Sequence, residues 1–172
     1  MCYLLPKKGG GAQVLNRPAG IQFENDFFGC DIQRETGMPE WCPLYEALRR
    51  AKEIQWSRYK WSPSVPRTEI AMLVFNAVRQ NLPALCRRFL QLYCSIDTAL
   101  DWYFATDFFF SLKYPGARRE GIVTADLTLL SEKDLDNRSD IYLSRIHLEN
   151  KKKVETVGKF VASLLLERSG KK

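Results

Sequence analysis

The stretch TDFFFSLKYPGARREGIVTADLTLLSEK, from Thr106 to Lys133, decides the fold. ATDFFFSLKY and GIVTADLTLL are rich in aromatic and β-branched residues, and YPGARRE between them carries a Pro-Gly turn followed by a basic loop. Together they predict an antiparallel hairpin. Each strand also carries an acid, Asp107 and Asp126. A carboxylate in a segment built for burial costs several kcal/mol unless it is paired or holds a cation, by about the margin that leaves isolated buried charges rare. Either the strands end at these residues or the acids have a task.

Working outward, the segments before the hairpin read as helices. PLYEALRRAKEIQWSRYK opens at Pro43, a residue suited to a first turn, and spaces Leu44, Ala47, Leu48, Ala51 and Ile54 along one face. WSPSVP breaks the chain, because Pro63 and Pro66 cannot continue a helix. RTEIAMLVFNAVRQ is apolar around most of its girth and reads as a central helix starting near Arg67 or Thr68. Pro83 opens a further predicted helix, PALCRRFLQLYCS. After the hairpin, DIYLSRIHLE alternates as a strand does, with a helix as the alternative. NKKKVETVGKFVASLLLERSG predicts an amphipathic helix that faces Val154, Val157, Phe160, Val161, Leu164 and Leu165 inward and ends before Gly170.

The predicted fold class is α+β or α/β, a small mixed sheet with an antiparallel hairpin, flanked by helices. Residues 1–40 read as an irregular N-terminal extension, punctuated by GGG and by Pro6, Pro18 and Pro39, with only GIQFENDFFGCDI ordered, as a short strand or hairpin. Residues 41–172 read as a single globular α/β domain.

The bulk composition narrows the function. The chain has 172 residues, is 45% hydrophobic and carries a formal net charge of +6, which excludes disorder for most of its length and favours anionic partners. The five cysteines are odd in number and contain no CxxC pair, against both a disulfide framework and a zinc ribbon. No signal-peptide pattern and no run of about 18 apolar residues is present, so the expectation is an intracellular, cytoplasmic protein with no membrane segment. His147 is the single histidine, and no serine or cysteine sits in a nucleophile elbow, which argues against Ser-His or Cys-His catalysis.

Two acids on adjacent strands repel unless a divalent cation neutralises both. Their hard oxygens suit Mg²⁺ or Mn²⁺, which hold phosphate oxygens and activate water for attack on phosphorus. Lys133, shortly after the second strand, is the candidate for stabilising charge in the transition state. The structural alternative has Asp107 capping the strand entry and Asp126 pairing with Arg118 or Arg119. RRAKEIQWSRYKWSPSVPR interleaves Arg49, Arg50, Lys52, Arg58, Lys60 and Arg67 with Trp56, Tyr59 and Trp61, and Arg118 and Arg119 of the hairpin loop are further candidate nucleic-acid contacts. Cations beside flat rings suit a polynucleotide, the competing reading being a solvated helix face.

TALDWYFATDFFF, followed by a turn and IVTADLTLLSEK, resembles the PD-(D/E)XK nuclease superfamily. The resemblance covers roughly Thr98 to Lys133, with 141–166 compatible in pattern. It implies a core of a helix, a strand meander carrying the acids, a helix and a last strand. It also implies Mg²⁺- or Mn²⁺-dependent cleavage of DNA phosphodiesters, with Asp107 as the first motif acid and Asp126 as the acid of the D-X-K element. Thr128 stands where that element has lysine, so Lys133 is the displaced candidate. The family's helical acid would be Glu69 or, second, Glu46, with Asp101 as a further ligand or a turn cap. The alternative function is a non-catalytic basic nucleic-acid-binding or assembly protein from a phage or mobile element, acting as a homodimer or in a larger assembly. A third is a protein-interaction module using an aromatic-rich surface.

Overall fold

The computed structural model describes residues 17–29, 37–129 and 138–170. Among them are six α-helices and one four-stranded sheet. The strands are β1 (Leu90–Cys94), β2 (Phe108–Leu112), β3 (Gly121–Thr128) and β4 (Ile141–Ser144), in that spatial order. β1, β2 and β3 form an antiparallel meander, and β4 joins β3 in parallel, so the sheet is mixed.

Helices cover both faces. α1 (Arg17–Phe28), α3 (Glu69–Asn81) and α6 (Lys151–Arg168) contribute to the larger core, against Phe108, Phe110, Leu112, Val123 and Ala125. α2 (Leu44–Ile54) and α4 (Ala99–Phe104) form the smaller one, in which Ala47, Ala51 and Leu100 meet Tyr93 and Phe109. This explains FFFSL: β2 is central and buried along its whole length, so it needs apolar groups on both sides and shows no alternation.

The hairpin forms with Phe108 opposite Ala125 and Leu112 opposite Gly121. Two predicted elements differ. PALCRRFLQLYCS yields a 3₁₀ turn, Arg87–Phe89, followed by β1, because Leu90, Leu92 and Cys94 gain strand partners in Leu112, Phe110 and Phe108. GIQFENDFFGCDI falls within α1 up to Phe28, where Phe23, Phe27 and Phe28 enter the larger core and Phe27 lies 5.1 Å from Phe108, centroid to centroid. In DIYLSRIHLE both periods are used in turn, β4 first and then α5 (Arg145–Leu148). On α6, Val154, Val161 and Leu165 are buried as expected, whereas Phe160 is exposed.

The outer edge of β1 is closed. Leu92 N–H donates to the Pro63 carbonyl (2.8 Å) and Cys94 N–H to Gln55 Oε1 (3.0 Å), which occupies groups that would otherwise template another strand. Gln55 opens a π-helical turn, Gln55–Tyr59, that continues α2.

At the far end of β3, α6 is locked to the sheet by charge. Arg168 donates to both oxygens of Asp140 (2.6 and 2.7 Å) and to the Ile122 carbonyl (2.7 Å), while Asp140 also accepts from Thr124 N–H (2.8 Å) and Oγ1 (3.0 Å). Burial alone would raise the Asp140 carboxyl, but the bonds from Arg168 and Thr124 outweigh it and hold it below the usual carboxylate range. A carboxyl lowered in the folded state stabilises fully above its unfolded value, near 3.9, and that contribution is lost as pH falls through the lower folded value. Arg168→Met is therefore expected to cost about 1–2 kcal/mol at neutral pH, and to flatten the acid limb of stability below about pH 4. Urea titrations from neutral to acid pH check both, and a pH-independent cost would remove the ion pair as the cause.

Candidate active site at the acid pair

Asp107 immediately precedes β2, and it is tied to β3 by two different groups. Its N–H donates to the Ala125 carbonyl (2.9 Å), and its Oδ2 accepts the Leu127 N–H (2.6 Å). Ala125 and Leu127 flank Asp126, so Asp107 is bonded to both neighbours of the second acid. Both residues are buried, Asp107 at 4% and Asp126 at 7% exposure. Asp126 alternates with Ala125 and Leu127 of the larger core, which turns it toward the face covered by α2 and α4.

A set of hydroxyl groups fixes the approach to Asp107. Ser95 N–H donates to the Asp107 carbonyl (2.8 Å) and Ser95 Oγ to the Thr106 carbonyl (2.7 Å). Ser139 Oγ lies 3.0 Å from Thr106 Oγ1 and donates to the Ala105 carbonyl (2.6 Å). Ala105 has φ +48°, an αL conformation that costs an L-residue about 1–2 kcal/mol and ends α4 abruptly, turning the chain into β2.

Among the described residues no group of three or more His, Cys, Asp or Glu could hold a metal ion. The hard carboxylate oxygens of Asp107 and Asp126 are of the donor type that Mg²⁺ takes, one or two at a time with water and substrate oxygens completing the shell.

The other predicted site residues are dispersed. Glu69 opens α3, exposed, next to Thr68, whose hydroxyl accepts the Ala71 N–H (3.0 Å) and donates to the Phe27 carbonyl. Glu46 on α2 is engaged by Arg49 and Arg50; the bond from Arg49, then that from Arg50, holds its carboxyl at about 2. Asp101 Oδ2 accepts the Asp97 N–H (2.7 Å), the turn-cap role. Lys133 lies outside the described residues. Thr128 ends β3, paired in register with Ser144.

Of the predicted basic contacts, Arg49 also bonds Glu53, and Arg58 reaches Asp97 at 2.5 Å. Lys60, with φ +57°, leaves the π-helical turn exposed, and Arg67 is exposed just before α3. Arg118 lies beside Gly170, and Arg119 Nε donates to the Arg168 carbonyl (2.5 Å), both at the Gly121 end of β3 and away from Asp126. His147 is structural: its Nδ1 accepts the Ser144 N–H (3.2 Å) and lies 3.0 Å from Ser144 Oγ. Burial, then Lys153, push its pKa below the ordinary imidazole value, which suits a neutral acceptor.

Sequence reasoning missed Asp97. It is buried, adopts φ +60°, and accepts from Arg58 and, at 3.3 Å, from Trp102 Nε1. The spacing of Asp97 and Asp101 around Thr98, which caps α4, was the available signal.

No protein-family model, curated protein or solved structure matches the chain. No helix among the described residues is long and apolar enough to cross a membrane.

Proposed function

We propose that this chain is a metal-dependent nuclease-like protein of the PD-(D/E)XK kind, hydrolysing DNA phosphodiester bonds. The observation that supports it is the bonding of Asp107 to both neighbours of Asp126, which sets two buried acidic residues next to each other at adjacent strands of a basic chain. Asp107 and Asp126 would hold Mg²⁺ or Mn²⁺, which would supply charge neutralisation for the phosphate and an activated water. The Leu127 N–H fixes the carboxylate of Asp107. Lys133 is assigned the charge-stabilising role on the resemblance. The order of the described elements departs from that family, since β4 precedes α5 and α6.

The test is cleavage of plasmid and single-stranded DNA with Mn²⁺, set against EDTA. Mn²⁺-dependent products support the reading, and an inert protein with intact fold removes it in favour of a non-catalytic nucleic-acid binder.

The basic contacts make a separate prediction. Arg49, Arg50 and Arg58 have carboxylate partners in the fold, so phosphate contacts are assigned to Lys60 and Arg67. Replacing either with Ala is expected to reduce the log-log salt slope of DNA affinity by about 0.9 on duplex or about 0.7 on a single strand. An unaltered slope in the double variant would assign these side chains to solvent alone.

A further inference from the structure

Residues 95–107 form an excursion that leaves β1 and returns to β2 closed on itself, since Ser95 N–H donates to the Asp107 carbonyl (2.8 Å). Within it stands Trp102, a large ring left 46% exposed on α4. Exposure of a single aromatic residue is ordinary. The support beneath this one is not. Its Nε1 donates to Asp97 Oδ1 (3.3 Å), and Asp97 Oδ2 is held by Arg58 Nη2 (2.5 Å). The Asp97 side chain is 1% exposed, and its backbone is kept in the αL region by its N–H bond to Asp101 Oδ2 (2.7 Å). Tyr59, one residue beyond Arg58, is buried and donates to the Ile96 carbonyl (2.7 Å), so the π-helical turn is clamped to the same excursion twice.

An αL aspartate, a part-buried ion pair and a ring N–H bond thus converge beneath one exposed indole. A flat apolar face held in place, with its polar edge already satisfied, is suited to a flat partner that brings no demand on that edge. In a chain of net charge +6, with Lys60 exposed at the exit of the same turn, the partner that adds negative charge is a nucleobase on a phosphate backbone. A base inside a duplex offers its faces to its neighbours and not to a protein ring, whereas an unpaired base has a face to give.

We infer that Trp102, held by the Asp97–Arg58 clamp, is a stacking platform for a base of single-stranded DNA. This rests on the nuclease reading for the purpose of the contact, and it names the substrate class as an unpaired strand. Trp102 is a positioning residue and the carboxylates remain the catalytic ones.

The experiment is fluorescence anisotropy on the full chain in EDTA, with a labelled short oligothymidylate and a labelled short duplex, for wild type, Trp102→Ala, Trp102→Phe and Asp126→Asn. Trp102→Ala is expected to weaken oligothymidylate binding by roughly 5- to 150-fold, the range for loss of one stacked base, and to leave duplex affinity unchanged. Trp102→Phe keeps a ring and is expected to retain most of the affinity, which excludes loss of the indole bond as the cause. Equal oligothymidylate affinity in wild type and Trp102→Ala overturns the inference. So does a wild type that does not bind the oligothymidylate, or an equal loss on duplex. Because binding in EDTA needs no cation, single-strand binding that depends on Trp102 and survives in Asp126→Asn, in a protein that cleaves nothing with Mn²⁺, would sink the nuclease reading and leave the platform standing.

Discussion

Asp107→Asn and Asp126→Asn are each expected to reduce Mn²⁺-dependent DNA cleavage by about 10²- to 10³-fold or more, the scale of losing one preorganised electrostatic group in an active site. The asparagine substitution is chosen for what it keeps. At Asp107 the amide oxygen can still accept the Leu127 N–H that Oδ2 now accepts at 2.6 Å, so the link to β3 survives while the negative charge is removed. Asp107→Ala removes both, strands a buried N–H, and is expected to lose about 1–3 kcal/mol of stability besides. Comparing melting curves with cleavage rates across Asn and Ala separates function from fold. Asn variants that melt and cut as wild type does would make the two acids structural.

Gly158→Val is expected to destabilise the protein by about 3 kcal/mol, at the upper end of the usual cost of overpacking. α6 crosses α3 at this residue, and a Cβ on Gly158 would lie 2.6 Å from the Ala77 carbonyl carbon and 2.7 Å from its oxygen. Both are backbone atoms, so no rotamer change relieves the overlap and the helices must separate. α6 also packs on β3, so its displacement reaches Leu165 and Val161 in the larger core. Replacing a helix-interior glycine by alanine ordinarily gains about 0.5–1 kcal/mol and by β-branched valine less, so a net loss of this size marks the overlap. Chemical denaturation measures it, and a Gly158→Val protein as stable as wild type would refute this account of the crossing.

The hairpin was legible because its signals are local: a continuous apolar run for a strand buried on both sides, a Pro-Gly turn, and an alternating partner. The inward face of α6 was legible from spacing alone, apart from Phe160, whose ring finds no core to enter. β1 was not legible. The sequence LQLYC is short, and what makes it a strand is its pairing with Phe108 to Leu112 and the sealing of its edge by Gln55 and Pro63, none of which a window of neighbours contains. α1 failed for a similar reason, since Phe23, Phe27 and Phe28 are helical in the presence of the Phe108 ring they pack near.

Asp107 and Asp126 were legible as an anomaly, carboxylates among apolar residues, and the hairpin bonds Asp107 to the residues on either side of Asp126. The partners of the basic face were not legible, because ion pairs are long-range facts. Arg58 finds Asp97, and Lys52 finds Glu120, which also accepts from Ser111. From the sequence these cations look like a solvent or phosphate face, while in the fold they hold α2 and its π-helical extension against the sheet.

The most direct test of the acid pair is calorimetric titration of Mn²⁺ into wild type and Asp126→Asn without DNA. The carboxylate account predicts saturable binding in wild type and loss of that binding in Asp126→Asn, with both proteins folded. Equal Mn²⁺ affinity in the two proteins would contradict it.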